Sequence, residues 1–430
     1  MAGRTGRRLV VIGPSALAIA WLTTPAAVAQ SLAAAPATAP SVLSLNPPPA
    51  PVSVDEELID AAARPAGLLR YGPVSIFDPL LKEFNQATED FGLKVGLAYT
   101  AVYQAATGGP GQRQAAGGDI DLFGEWRLLG RPGGENNAFL YFAAENRHEL
   151  GTGIPPAALD TEIGSLWGTA NGFGEQVLTM KELFWQQHFG GDRLIVRVGK
   201  LDPENYYNSN FWQSDSKFFM NQAFSSFPVR AFPSNGLGVN LTAKPSERWY
   251  VSTGVQDAQG KKTTTGFNTL FSDVNLFAAF EVGFTPVIED VGRGTYRFTA
   301  WYRDAGKRTG TPHDAGFDVS IDQRVGPHLI PFFRAGIGEG NINGIDDMIS
   351  AGAGWEGKLL TESDVTGFAA AWGRPANHDL NDQFAGEIFY RLQVSPDNQL
   401  TVGYQVIINP ASAPDDHVVG VLEVRWRVAM

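Results

Sequence analysis

From residue 93 to the end, apolar and polar positions alternate in short segments. In 119–128, Ile120, Leu122, Trp126 and Leu128 share one face, and Asp119, Asp121, Glu125 and Arg127 share the other. In 295–303, Tyr296, Phe298, Ala300 and Tyr302 alternate with Arg297, Thr299 and Arg303. In 384–393, Ile388, Tyr390 and Leu392 alternate with Glu387, Arg391 and Gln393. At the C-terminus, Leu422, Val424, Trp426, Val428 and Met430 alternate with Glu423, Arg425 and Arg427. Side chains of a strand point alternately to its two faces, so a period of two predicts strands with one apolar and one charged face. Sixteen such segments can be read: 93–104, 119–128, 138–147, 177–189, 193–201, 236–244, 249–257, 276–284, 294–303, 316–325, 330–338, 349–358, 364–373, 384–393, 399–408 and 418–430. Most have the roughly 9–11 residues that a tilted strand needs to cross a bilayer. The segment 364–373, with its GFAAAWG, has no clear phase.

The connections separate a membrane barrel from a soluble sandwich, which also alternates. After odd-numbered segments they are long: 105–118, 148–176, 202–235, 258–275, 304–315, 339–348, 374–383 and 409–417. After even-numbered segments they are short, as at 190–192, 245–248, 326–329 and 395–398. Long loops at one end and tight turns at the other, with an even strand number, mark a single-chain outer-membrane barrel. The expected fold is therefore all-β: a 16-stranded antiparallel transmembrane β-barrel over 93–430, with a short N-terminal amphipathic helix. Barrel precursors commonly end in a lipid-facing aromatic; here Met430 holds that phase, and Trp426 is the nearest aromatic in it.

Upstream the period lengthens to 3.6. Phe77, Leu80, Leu81, Phe84 and Ala87 follow Asp78-Pro79, predicting a helix with Asp78 as N-cap that ends near Gly92. Within 69–92 this helix either packs at the periplasmic entrance or plugs the pore. Residues 30–68 are rich in Ala and Pro and read as an extended, disordered leader. At the start, Arg4, Arg7 and Arg8 precede the uncharged, mostly apolar Leu9–Leu22, and Ala27-Val28-Ala29 fits a signal-peptidase site with the mature chain starting at Gln30. An outer-membrane destination follows.

Charge and chemistry narrow the functions. Loss of residues 1–29 moves the net charge from −12 to −15, which argues against nucleic acid as a partner. There are no cysteines to staple the exported chain. Neither GxSxG nor HExxH occurs among the motifs, and the six histidines form no metal or catalytic signature, so neither an enzyme, a metal site nor a cofactor is expected. His148 and His313 have only neighbouring loop acids, Glu149 and Asp314.

The loop 202–235 is long and aromatic. Besides Asp202 and Asn221 it holds Tyr206, Tyr207, Phe211, Trp212, Phe218, Phe219, Phe224, Phe227 and Phe232. Rings of this kind favour burial, and a 16-stranded lumen can admit a loop, so the loop is expected to fold inward and narrow the pore. The inward phase supplies Glu125, Arg127, Glu145, Arg147, Glu182, Gln186, Arg197, Arg297, Arg303, Asp318, Asp322, Arg334, Glu356, Arg391, Glu423, Arg425 and Arg427. Both signs are present, so the lumen is not built for one ionic charge. Arg127, Arg147, Glu182 and Arg197 are the first choices for the narrow region.

The middle of the chain resembles the carbohydrate-selective porin family, OprB. The resemblance rests on Glu182-Leu183-Phe184-Trp185-Gln186-Gln187, Val196-Arg197-Val198-Gly199-Lys200-Leu201-Asp202, Phe211, Phe218-Phe219-Met220-Asn221, Ala223-Phe224, Pro228, Asp322-Gln323 and the segment Gln405–Pro410. It implies a 16-stranded pore through which sugars diffuse passively across the outer membrane. Sugars as solutes and outer-membrane lipid are then the partners, and a homotrimer is left open. Arginine forks and carboxylates suit sugar hydroxyls, because charge-assisted hydrogen bonds are strong and directional. A general or carboxylate-preferring porin is the alternative; an outer-membrane hydrolase or a soluble periplasmic β-protein fits less well.

Overall fold

The sixteen alternating segments close into one cylinder. The computed structural model describes residues 53–430, apart from 208, 307, 308 and 358; the signal peptide, its Ala29–Gln30 junction and leader residues 30–52 lie outside the described residues. The strands are β1 Leu93–Ala106, β2 Gln114–Leu129, β3 Ala138–Glu149, β4 Gln176–Phe189, β5 Leu194–Leu201, β6 Gly236–Ser246, β7 Trp249–Asp257 and β8 Leu276–Phe284. The second half comprises β9 Gly292–Arg303, β10 Asp314–Gln323, β11 Leu329–Gly338, β12 Ile345–Glu356, β13 Val365–Pro375, β14 Gln383–Ser395, β15 Asn398–Ile408 and β16 Val418–Ala429. Each pairs antiparallel with its sequence neighbours, and β1 also pairs with β16 in the register Ala98↔Ala429 to Ala106↔Val421. Past the last strand residue, Met430 exchanges both backbone hydrogen bonds with Leu97, at 2.8 and 2.9 Å, completing the seam. Closure removes the open edges that lipid could not satisfy.

The apolar phase faces outward. Ile120, Leu122, Phe298, Ile388, Leu422 and Trp426 are exposed, while their alternates Glu125, Arg297, Glu387, Glu423 and Arg425 are buried. A soluble protein would not present so continuous an apolar wall to water; hydrocarbon accepts it. Trp126, Trp249, Trp355 and Trp426 ring the turn end of this wall, and Tyr103, Tyr302, Phe317, Phe384 and Tyr404 lie toward the loop end. Such girdles sit where a bilayer meets water.

β13 explains the missing phase of 364–373. Its outward Phe368 is 63% exposed, while inward Ala369 and Ala371 are buried. The inner face is itself small and apolar because loop side chains pack on it. An alternation of apolar with apolar cannot be read as a period of two.

Among the described residues, two helices precede the barrel. α1, Val54–Ala62, lies inside the stretch read as an Ala/Pro-rich leader. Its start is fixed by Ser53, whose side chain accepts from Glu56 N at 3.4 Å, and by Asp55, Glu56 and Glu57 in the first turn, where acids complement the helix dipole. It ends at extended Ala63, ahead of Pro65. The helix stands in the lumen: Val54 is buried against a cluster that includes inward Phe123, Tyr141 and Phe184. The chain then leaves along the turn-end rim, where Leu68 N and Leu69 N donate to Gln393 O and Val394 O at 2.9 and 2.7 Å. α2, Asp78–Glu89, follows a 3₁₀ turn at Ser75–Phe77, so its N-cap is Phe77 instead of Asp78: the chain is already turning when it reaches the aspartate. It lies beside β1 with Leu80 and Phe84 exposed, at the entrance and not in the pore.

Candidate pore constriction

The connection between β5 and β6, residues 202–235, folds into the barrel. Trp212, Phe219, Phe224 and Phe227 are fully buried in a cluster with Ile330 and Phe332 of β11, Ile345 and Met348 of β12, Val365 of β13, and Phe389 of β14. Burying a ring of this size stabilises by about 1.5–3 kcal/mol. The wall makes room with inward glycines: a Cβ at Gly354 would run into the Trp212 ring, and one at Gly336 would come within 2.8 Å of Phe227. Phe211 and Phe218 pack at the cluster's edge, both edge-on to Trp212.

Polar contacts latch the loop to the far wall. Glu387 of β14 accepts from the backbone N–H groups of Met220 and Asn221, both at 2.8 Å. The Asn221 amide accepts from Trp167 Nε1 at 2.9 Å and from Ala223 N at 3.0 Å, and donates to Gln405 of β15 at 2.8 Å. Arg425 donates to the carbonyls of Asp215 and Phe218, and Arg391 donates to that of Lys217. A second connection, 150–175, also enters: its Trp167 is 2% exposed and joins the same cluster.

The polar side lies along β2–β6. Arg197 donates to Gln186 at 2.6 Å, Asn240 at 2.8 Å and Thr242 at 3.0 Å, and lies over the Tyr206 ring at 4.8 Å. Tyr207 accepts from Asn240 at 3.0 Å. Glu182 takes the loop's first turn, accepting from Asp202 N and from Asn205. Burial and the adjacent Glu204 raise the Asp202 carboxyl to about 6. Nearer the loop end, Arg147 pairs with Asp119 at 2.9 Å and Glu145 at 3.0 Å. Lys181 pairs with Asp121 and Glu145, and Lys262, from the 258–275 connection, with Glu145. Asp119, Asp121 and Glu145 lie close enough to share a cation. Their carboxylates are already matched by Arg147, Lys181 and Lys262, so the trio reads as an ion-pair cluster and not an open metal site.

Residues 126–427 match the model of the family described as carbohydrate-selective porin, OprB family. The chain belongs to that family. The chain is similar to the high-pH structure of Pseudomonas putida OprB, at 14% identity and a TM-score of 0.68, over 81% of this chain and 97% of that one. The low-pH structure of the same protein aligns at 13% identity and a TM-score of 0.53, over 81% and 96%. No curated protein sequence matches. The OprB assignment makes this chain an outer-membrane porin through which sugars diffuse, and a passive channel in place of an enzyme.

Within this OprB porin the inward candidates do not form one group. Glu125, Gln186 and Arg197 join through Tyr141, whose hydroxyl lies 3.1 Å from Glu125 and 3.3 Å from Gln186. Arg147 and Glu145 belong to the ion-pair cluster, Glu182 holds the loop's entry, and Arg391 its far side. Arg297 is buried in a 2.8 Å pair with Asp322. Arg127 is apart from these, near the turn end beside Gly92. Several contributors were missed, Asn240, Tyr141, Lys181 and Lys262 among them. Glu387 and Gln405 had the inward phase as their signal; Trp167 was an isolated loop aromatic; α1 was read as leader.

Proposed function

We propose that the loop 202–235 forms the constriction and that sugars pass it along the polar side of the lumen, between Tyr206 and the wall that carries Arg197, Gln186 and Asn240. The observation that supports this most is the loop's fit: its rings pack on the inner face of β11–β14, while Arg197, Gln186 and Asn240 form a hydrogen-bonded polar group beside Tyr206 on the other side. There an arginine fork, amides and hydroxyls meet aromatic faces, a combination suited to a solute with hydroxyls at its rim and C–H groups on its faces. Arg127, Arg147, Glu145, Arg297 and Arg391 serve the wall's charge balance and the loop's anchorage in this reading. Planar-bilayer conductance with a panel of sugars tests it: concentration-dependent block supports the reading, and linear, unblocked current would favour a general or carboxylate-preferring porin. Export by cleavage after Ala29 and assembly as a homotrimer belong to the same proposal. Chemical crosslinking in detergent that yields monomer alone would remove the trimer.

A further inference from the structure

The luminal helix α1 is the most acidic element inside the barrel. Residues 53–62 carry Asp55, Glu56, Glu57 and Asp60 and no basic residue. What meets Glu57 and Asp60 is basic. Arg427 of β16 pairs with Glu57 at 2.8 Å and with Asp60 at 2.9 Å. Lys217, from the inward loop, reaches the same Glu57 at 3.0 Å. Tyr141 donates to Asp55 at 2.8 Å. Arg427 and Lys217 are 2% and 5% exposed, so α1 keeps them from water and from any passing solute. The helix thus bridges wall and loop at the turn end, with Val54 seated in the apolar cluster on the wall.

We infer that α1 is a built-in plug that narrows the turn end of the pore and cancels the charge of Arg427 and Lys217, so that the pore accepts neutral solutes over anions. The inference rests on the sugar-pore reading above and adds the element that sets its charge preference. The chemistry is direct. Removing α1 withdraws four acids and leaves Arg427 and Lys217 without these partners, with Arg391 and Arg425 nearby. A lumen with that balance concentrates anions. It also widens, since a helix with its side chains is about 10 Å across.

Two variants of the full chain test this: deletion of 53–62, and E57Q/D60N, which keeps the helix and removes the charge. Neither touches a strand, and heat-modifiable migration in gels reports an intact barrel. In planar bilayers under a potassium chloride gradient, the deletion is expected to raise single-channel conductance about twofold or more, given the width of a helix. It is also expected to shift the reversal potential toward anion preference. E57Q/D60N should shift the reversal potential in the same direction with a smaller change in conductance. Wild-type conductance and reversal potential in both variants would overturn the plug. Sugar block of the wild type is scored separately: its loss would sink the sugar-pore reading, while an unchanged deletion variant that is still blocked by sugar would sink only the role of α1.

Discussion

Asn221 is the residue whose loss should unlatch the inward loop without harming the barrel. Its side chain is fully buried and makes three hydrogen bonds: from Trp167 Nε1, from Ala223 N and to Gln405. Asn221→Ala leaves three buried partners unmatched, each at a cost of about 1–3 kcal/mol. The terms share one site and do not simply add, so roughly 3–6 kcal/mol against the docked loop is the working figure. The sixteen-strand ladder is untouched, and the loss falls on local opening of the loop rather than on global unfolding. The chain has no cysteine, so a Met220→Cys reporter can be labelled specifically. If labelling by a bulky maleimide is limited by loop opening, even the lower figure corresponds to about a hundredfold faster reaction in the Asn221→Ala background. Sugar block in bilayers should weaken in parallel. Equal labelling rates in the two backgrounds, with an unaltered heat-modifiable barrel, would refute the latch.

Other outcomes follow from the same structure. Arg197→Ala should weaken sugar block while leaving barrel migration unchanged, because it removes the donors to Gln186, Asn240 and Thr242 and the cation over Tyr206; identical block would take Arg197 off the path. The docking of α1 should depend on pH. Burial raises the Glu56 carboxyl to about 7 despite Lys217, with Asp55, Asp60 and Glu57 adding to the rise. Burial also opposes ionisation of Asp60, but Lys217, Arg427 and Arg391 outweigh it and hold that group at about 2. Below its ordinary value of 4.5, Glu56 is protonated whether docked or released, so docking weakens only as pH rises from there to about 7, by on the order of 3 kcal/mol. Asp60 acts the other way, and its contribution is lost only as pH falls from 3.8 through about 2. Asp55, raised by burial and by Glu125, acts in the same direction as Glu56; single-channel conductance should therefore be lower near pH 4–5 than at pH 8, and a flat profile would contradict the assignment. Mass spectrometry of outer-membrane protein should find Gln30 as the first residue; a chain that still carries residues 1–29 would remove the signal-peptide reading.

The wall was legible because the membrane imposes a rule on each strand separately. Lipid on one face and water on the other leave a period of two in almost every segment, and the sorting of loop lengths reports the chain's two ends. The inward loop could be read from its rings, since nine aromatics in one connection have no stable place in water. What could not be read was partnership across the lumen. Glu387 meets Met220 and Asn221 over separations of 167 and 166 residues, and no local pattern records that. The α1 helix was hidden for a related reason. Nine residues are too few to hold a helix by propensity, so its existence depends on Arg427, Lys217 and Tyr141, which the leader's composition does not mention.

These hidden contacts share a consequence for selectivity. A quarter of the inner wall, β11–β14, is covered by loop rings. On the polar side, inward charges are paired: Arg147 with Asp119 and Glu145, Lys181 with Asp121. A paired charge presents little net field at a distance, yet each partner keeps lone pairs or N–H groups for short-range hydrogen bonds. Such a surface neither concentrates nor repels ions strongly, but it can exchange hydrogen bonds with an uncharged, hydroxyl-rich solute at every step. On this argument charge compensation, more than any single arginine, is what suits the pore to sugars. The variants that matter most are then those that break a pair, because each converts a neutral hydrogen-bonding surface into an ionic one.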